Sequence, residues 1–125
     1  MKYNIVAGEE LRKIMQNSLD NPIPFNEDMS KGSYKSIPFS DGFFQERSLI
    51  HGVKVDEYLN KMNEFLLFLS KVKENDEVHL YFGDDIVCKA NSKLLIDYLK
   101  QKVNTIFFHL VNEYEGTELS VVQIK

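Results

Sequence analysis

The pattern that decides the fold is Val78-His79-Leu80-Tyr81-Phe82-Gly83-Asp84-Asp85. Its first five residues are mostly apolar or aromatic, as in a strand buried inside a sheet. Gly83 ends this strand, and Asp84 or Asp85 can cap the N-terminus of a following helix. Apolar residues at helical spacing then continue to about Lys102. The stretch therefore predicts a strand followed by a helix, which is the repeating unit of a parallel sheet.

The start of the chain repeats this pattern. Residues 3–7 form a short apolar strand that ends at Gly8, and Glu9 and Glu10 then begin a helix, where acidic side chains favour the N-terminal dipole. Ile23-Pro24-Phe25 is a short extended piece in which proline permits only an edge strand. The sequence therefore places a strand, a helix and a second short strand before residue 26.

The end of the chain supplies two more strands. Residues 105–111 form a clear strand, and residues 119–124 can return as a final strand after the turn at Glu115-Gly116. The order of elements predicts a single α/β domain over residues 1–125. We expect a mostly parallel, twisted sheet with helices on its faces, which is a Rossmann-like arrangement. The last two strands predict an antiparallel C-terminal edge.

The middle of the chain is less regular. In residues 26–54, glycine, proline and serine recur among several phenylalanines, which predicts a long loop. This loop is either a lid over a site or a packed scaffold. Apolar spacing predicts one long helix over residues 56–73. That helix is apolar all round at Phe65–Leu69, which indicates burial on more than one side. The additional apolar side of this helix packs either in the domain core or against a second copy of the chain, in a homodimer through residues 58–72.

Composition narrows the class of protein. The formal net charge is −4, and the 15 basic residues are spread along the chain with no basic run. We therefore expect no nucleic-acid partner. No run approaches the roughly 18 apolar residues of a membrane span, so we expect no membrane partner. Cys88 is the only cysteine, which agrees with a reducing compartment. With no signal peptide recognisable, we expect a cytoplasmic location.

In α/β sheets of this kind, ligands bind beyond the carboxyl ends of the strands. The loops that follow the first three predicted strands would all open on one rim. This rim carries six carboxylates, which either hold Mg²⁺ or only cap helices and solvate turns: Glu9, Glu10, Glu27, Asp28, Asp84 and Asp85.

Two further polar residues invite two interpretations each. Arg47, in the irregular segment, either clamps a phosphate or carboxylate, or pairs with Glu46 or Asp28 as a structural lock. Asn91 lies on the apolar face of its predicted helix, where it either satisfies a buried backbone group or reaches into the rim. No phosphate-binding glycine motif, nucleophile elbow or histidine metal spacing is present. The sequence therefore identifies no cofactor and leaves open whether the protein is an enzyme.

Several pieces together resemble the family called domain of unknown function 1835. The pieces are Ile5-Val6-Ala7-Gly8, the segment 24–32, Arg47 and the segment 80–91, so the resemblance spans residues 3–110. The sequence departs from the family pattern at Ser33, Tyr81 and Lys89. Family members often carry a second, C-terminal domain. The resemblance implies a binding site, and no reaction, at seven residues: Gly8, Asp28, Ser30, Gly32, Arg47, Asp85 and Asn91.

Three functional hypotheses follow. The first is a binding domain that takes a small polar or phosphate-bearing ligand at the carboxyl ends of its strands, with no assigned metal ligands. It rests on Gly8, the segment 30–32 and Arg47, which can offer backbone N–H groups and cations to an anion. The second is a metal-dependent phosphoryl-transfer or hydrolytic enzyme using Asp28, Asp84 and Asp85. The third is a homo-oligomeric interaction module using Phe65–Leu69.

Overall fold

The computed structural model of the protein describes residues 1–125. It contains five strands and five helices, in this chain order: β1 (Lys2–Val6), α1 (Glu9–Met15), β2 (Ile23–Pro24), α2 (Asp41–Ile50), α3 (Val55–Lys61), α4 (Asn63–Lys71), β3 (Glu77–Phe82), α5 (Ile86–Leu99), β4 (Thr105–Val111) and β5 (Glu118–Ile124). None of the helices combines the length and apolar character that a membrane crossing requires.

The five strands form one sheet in the order β2-β1-β3-β4-β5. The β1–β2, β1–β3 and β3–β4 pairs are parallel, and β4–β5 is antiparallel. This confirms the predicted α/β class, the mostly parallel sheet and the antiparallel C-terminal edge. The chain leaves β1 towards β2 on one side and later continues through β3 and β4 on the other. The strand order therefore reverses between β1 and β3, where sheets of this type bind ligands.

The two faces of the sheet are covered unequally. Alternate residues of a strand point to opposite faces, so Ile5 and Val6 of β1 belong to different cores. The larger core joins Ile5 to side chains from α2, α3, α4 and α5, including Phe43, Tyr58 and Phe65. The smaller core joins Val6 to α1. One short helix therefore covers the second face, and four helices pack on the first.

Two predictions about the middle of the chain are wrong in part. The irregular segment contains a ten-residue helix, α2, which Ser40 caps by accepting a hydrogen bond from the Phe43 N–H at 3.3 Å. The buried side chains of this helix include Arg47 and Ser48, so its inward face lacks the apolar stripe that would predict a helix. The predicted helix over residues 56–73 is two helices that meet at Met62, where φ is −91° and ψ is 3°.

The break at Met62 leaves the apolar pattern intact, since Met62 itself lies in the larger core. Phe65 and Phe68 of α4 are also buried there, so the chain's own core occupies most of the surface considered for a homodimer through residues 58–72. Leu67 is the large apolar residue of α4 that stays exposed. The predicted all-round burial of Phe65–Leu69 is therefore wrong on the Leu67 side.

Candidate functional site

A buried ion pair holds the loop that follows β2. The side chains of Glu27 and Arg47 are completely buried, with Arg47 Nε 3.1 Å from Glu27 Oε2 and Arg47 Nη2 3.1 Å from Glu27 Oε1. Arg47 also donates to the backbone carbonyls of Asp28 and Lys31, both at 2.8 Å. Every nitrogen of the guanidinium is thus engaged within the chain. Arg47 serves as a structural lock, with Glu27 in place of the Glu46 or Asp28 carboxylate that the sequence led us to consider.

The Glu27 carboxylate accepts further hydrogen bonds. The Tyr58 hydroxyl donates to Oε2 at 2.5 Å, the Asp28 N–H donates to Oε1 at 2.7 Å, and His51 Nε2 lies 2.5 Å from Oε1. Burial alone would raise the pKa of Glu27, but the hydrogen bonds from Arg47, Tyr58, the Asp28 backbone and His51 lower it to about 2. Glu27 is therefore an anion that the fold stabilises from four directions.

Asn91 ties α5 to the same loop. Its Nδ2 donates to the carbonyl of Glu27 at 2.7 Å, and its Oδ1 accepts from the N–H of Met29 at 2.8 Å. The side chain is only 1% exposed. Of the two interpretations from sequence, the structure supports satisfaction of buried backbone groups.

Replacing Asn91 with leucine is expected to lower the free energy of unfolding by about 2–4 kcal/mol, because it leaves two buried backbone groups unpaired. Urea denaturation measures this loss. The matched control is Asn60→Leu on the exposed surface of α3, which is expected to change stability by no more than about 0.5 kcal/mol. If Asn91→Leu unfolds at the same urea concentration as Asn60→Leu, the assigned role of Asn91 is wrong.

Asp28, Ser30 and Gly32 shape the loop itself. Asp28 Oδ1 accepts from the Ser30 N–H at 3.0 Å and also from the Ser30 hydroxyl. Gly32 has φ of +65°, and a Cβ there would lie 2.2 Å from Cδ1 of Ile50. The positive φ therefore favours glycine at this turn, and a Cβ there would also displace the end of the Ile50 side chain.

A crevice opens between the carboxyl ends of β1 and β3, at the point where the strand order reverses. Its volume is about 460 Å³, within the range of small-molecule sites. We call it the acidic crevice, and its lining residues are Ala7, Gly8, Glu9, Glu10, Leu11, Ile14, Asp85, Glu113 and Tyr114. No atom lies within 4 Å of the position of a Cβ on Gly8, so the backbone there is open to a ligand.

Asp85, Cys88 and Glu113 are hydrogen-bonded at one wall of the acidic crevice. Asp85 Oδ1 caps α5 by accepting from the Cys88 N–H at 2.8 Å, and the Cys88 thiol donates to Glu113 Oε1 at 3.2 Å. Interaction with Asp85 raises the pKa of Glu113, and burial raises it further. The same interaction and the hydrogen bond from the Cys88 N–H lower the pKa of Asp85. Burial raises the pKa of the Cys88 thiol, and the hydrogen bond with Glu113 raises it further. Glu113 therefore keeps its proton to a higher pH than an isolated carboxyl group does, whereas Asp85 loses its proton at a lower pH.

The same three residues could hold a metal ion. One ligand atom from each lies within 4.8 Å of the others. Sequence reasoning did not include Glu113, although it lies two residues beyond the carboxyl end of β4 and the rim rule could have found it. Asp84, which it did include, is exposed and does not belong to this group.

A second crevice of about 460 Å³ lies on the other side of Gly8, next to the loop after β2. We call it the lysine crevice, and it is lined by Ala7, Gly8, Glu9, Phe25, Asn26, Glu27, Asp28, Lys31, His51 and Lys61. Arg12 donates to Glu9 at 2.9 Å, and Arg47 pairs with Glu27, so two of its three carboxylates already have cationic partners. Lys31 and Lys61 are thus available to an anion.

The structure divides the seven candidate residues into two groups. Gly8 lines both crevices, Asp85 lines the acidic crevice and Asp28 lines the lysine crevice. The other four line neither crevice and instead build or hold the loop between them and the core: Ser30, Gly32, Arg47 and Asn91.

Comparison with known proteins gives no relatives: no protein-family model, no curated protein and no solved structure matches the chain. The resemblance to the domain of unknown function 1835 family stays a prediction. The functional conclusion therefore depends on the geometry and charge of the rim.

Proposed function

We propose that the protein is a binding domain for a small polar ligand that lies across Gly8 and carries both an anionic and a cationic group. The observation behind this proposal is that the acidic crevice and the lysine crevice share Ala7, Gly8 and Glu9. A single ligand can therefore reach both. Amino acids and other zwitterions have this charge pattern, and so does a nucleotide that brings its own divalent cation.

The lysine crevice suits the anionic group. Lys31 and Lys61 offer mobile ammonium groups, which bind phosphate or carboxylate as point charges. His51 adds a ring edge, although its Nε2 is directed to Glu27. This replaces the anion clamp first considered for Arg47, whose donors are all used within the chain.

The acidic crevice suits the cationic group. A ligand ammonium, guanidinium or bound metal ion next to Asp85 and Glu113 would favour the ionised form of both carboxylates. Since Glu113 has a raised pKa in the free protein, binding of a cation should release its proton. Affinity would then increase with pH across the titration of Glu113. A ligand held only in the lysine crevice lacks this dependence.

A thermal-shift screen tests the proposal. The panel contains amino acids, sugar phosphates, nucleotides with and without Mg²⁺, and Mg²⁺, Mn²⁺ and Zn²⁺ alone. A compound present at a hundred times its dissociation constant stabilises the fold by about 2.7 kcal/mol, which raises the melting temperature of a domain this size by about 10 °C. We expect a zwitterion or a nucleotide–Mg²⁺ complex to produce such a shift.

Variants then locate the site. Glu113→Gln and Lys61→Gln are each expected to remove most of the shift. Their matched controls, Glu74→Gln and Lys100→Gln, replace exposed residues outside both crevices and should keep it. The proposal is wrong if no compound stabilises the protein, or if the shift persists in both crevice variants.

The metal-dependent enzyme is the second candidate, favoured by the closeness of Asp85, Cys88 and Glu113. Asp28 is removed from its ligand set because Asp28 lines the other crevice. A thiolate together with carboxylates suits Zn²⁺ better than Mg²⁺. Stabilisation by Zn²⁺ alone that disappears in Cys88→Ser would favour this candidate over the zwitterion site.

A further inference from the structure

The outer edge of β5 is open. β5 is a seven-residue strand at the end of the sheet, so the side facing away from β4 has no pairing partner. Between residues 119 and 124 it contains no charged residue and no proline. Its pairing to β4 is regular from Ser120 to Ile124. Charges, prolines, bulges and short length are the usual features that prevent edge strands from pairing. A bulge lies at Leu119, and charged residues stand at positions 118 and 125, so the stretch from Ser120 to Ile124 contains no charge, proline or bulge.

The opposite edge of the sheet is protected. β2 contains only two residues, Ile23 and Pro24, and Pro22 precedes them. Proline lacks the N–H that a further strand would need, and a strand this short offers little to pair with. One edge of the same sheet is therefore closed to pairing while the other is open.

Each face of β5 carries an exposed apolar side chain. Val121 is 46% exposed and Val122 is 54% exposed, and as neighbours in a strand they point to opposite faces of the sheet. Leu119 is 63% exposed. A strand added to this edge would cover apolar surface on both faces and would satisfy the outward backbone groups.

We propose that β5 pairs antiparallel with β5 of a second copy of this chain, so that two five-stranded sheets become one sheet of ten strands. The charges at the two ends of the strand favour this partner. Glu118 lies at one end and Lys125 immediately follows the other. Because of the bulge at Leu119, Glu118 and Lys125 lie three ladder positions on either side of Val122. A twofold axis at Val122 therefore places Glu118 of each copy opposite Lys125 of the other. A parallel arrangement would place like charges together.

The interface is small. Stable protein interfaces bury about 1,200–2,000 Å² in total, and a single pair of seven-residue strands buries less than that. The dimer should therefore dissociate on dilution.

The dimer interface does not involve the proposed ligand site. The twofold axis is perpendicular to the sheet, so the carboxyl ends of β1 and β3 point in opposite directions in the two copies. The crevices lie at opposite ends of the joint sheet and no second copy completes them. Ligand binding and dimerisation are thus independent, and either can fail without the other.

Sedimentation equilibrium tests the pairing through a charge swap. The wild type is expected to show a reversible monomer–dimer equilibrium. Glu118→Lys alone and Lys125→Glu alone should each weaken it at least tenfold, because each places like charges together across the axis. An equimolar mixture of the two variants restores opposite charges at both ends, so it should dimerise as the wild type does.

A third variant and a control complete the test. Val122→Lys places a charge on the open edge and should also weaken dimerisation at least tenfold, without touching the contact between Glu118 and His109. Leu49→Lys replaces an exposed apolar residue of α2 and should leave dimerisation unchanged. Circular dichroism confirms that each variant is folded. The proposal is overturned if the wild type is strictly monomeric or forms only large aggregates. It is also overturned if Val122→Lys and Lys125→Glu both dimerise as well as the wild type does.

Discussion

Replacing Arg47 with methionine is expected to lower the free energy of unfolding by about 3–5 kcal/mol, because it leaves the buried Glu27 carboxylate without its ionic partner. It also removes the donors to the carbonyls of Asp28 and Lys31. The loss is a large fraction of the stability of a domain this size. Urea denaturation of the wild type and the variant measures it.

The chain offers a matched control in its other arginine. Arg12 pairs with Glu9 and Glu64 at the surface, where ion pairs contribute about 0–1 kcal/mol. Arg12→Met should therefore have a small effect. The double variant Glu27→Gln/Arg47→Met should be more stable than Arg47→Met, because a neutral amide is easier to bury than an unpaired carboxylate. If Arg47→Met is as stable as Arg12→Met, Arg47 is not a structural lock.

Acid is expected to destabilise the protein through Glu27. Because the folded-state pKa is about 2, below the ordinary value of 4.5, the stabilisation is fully present above pH 4.5. It is lost as the pH falls towards 2, and it amounts to about 3 kcal/mol for this shift. Urea denaturation at several pH values between 5 and 2 should show the loss in the wild type and much less of it in Glu27→Gln.

Glu113→Gln is the control with the opposite sign. The folded-state pKa of Glu113 is raised, so its contribution is present at low pH and is lost as the pH rises through that pKa. Removing this carboxyl group should leave most of the acid-induced loss in place. An acid dependence that is the same in Glu27→Gln and in the wild type would contradict the assignment to Glu27.

The sheet could be predicted because its strands are marked locally. β3 is a continuous run that ends at Gly83, and β4 is nearly as clear, so their order and the return through β5 could be deduced. α2 could not be deduced from periodicity, since its buried face contains Arg47, whose partner is 20 residues away in the sequence. The division between α3 and α4 could not be predicted either, because Met62 continues the apolar pattern through the break.

The candidate site could be predicted only in part. Gly8 and Asp85 follow strand ends, and the rule that ligands bind at such ends locates them at the rim. The role of Arg47 depends on its distance from Glu27, and no local pattern contains that distance. The pairing of Asp85 with Glu113 is likewise tertiary, since it joins the loops after β3 and β4.

An NMR titration of ¹⁵N-labelled protein tests the central claim, that one ligand spans both crevices. The titrant is the member of the screening panel with the largest thermal shift. We predict that the amide signals of Gly8, Lys31 and Asp85 move together, with one dissociation constant. Changes confined to one crevice, or located at α4 or β5 with Gly8 unaffected, would contradict the claim.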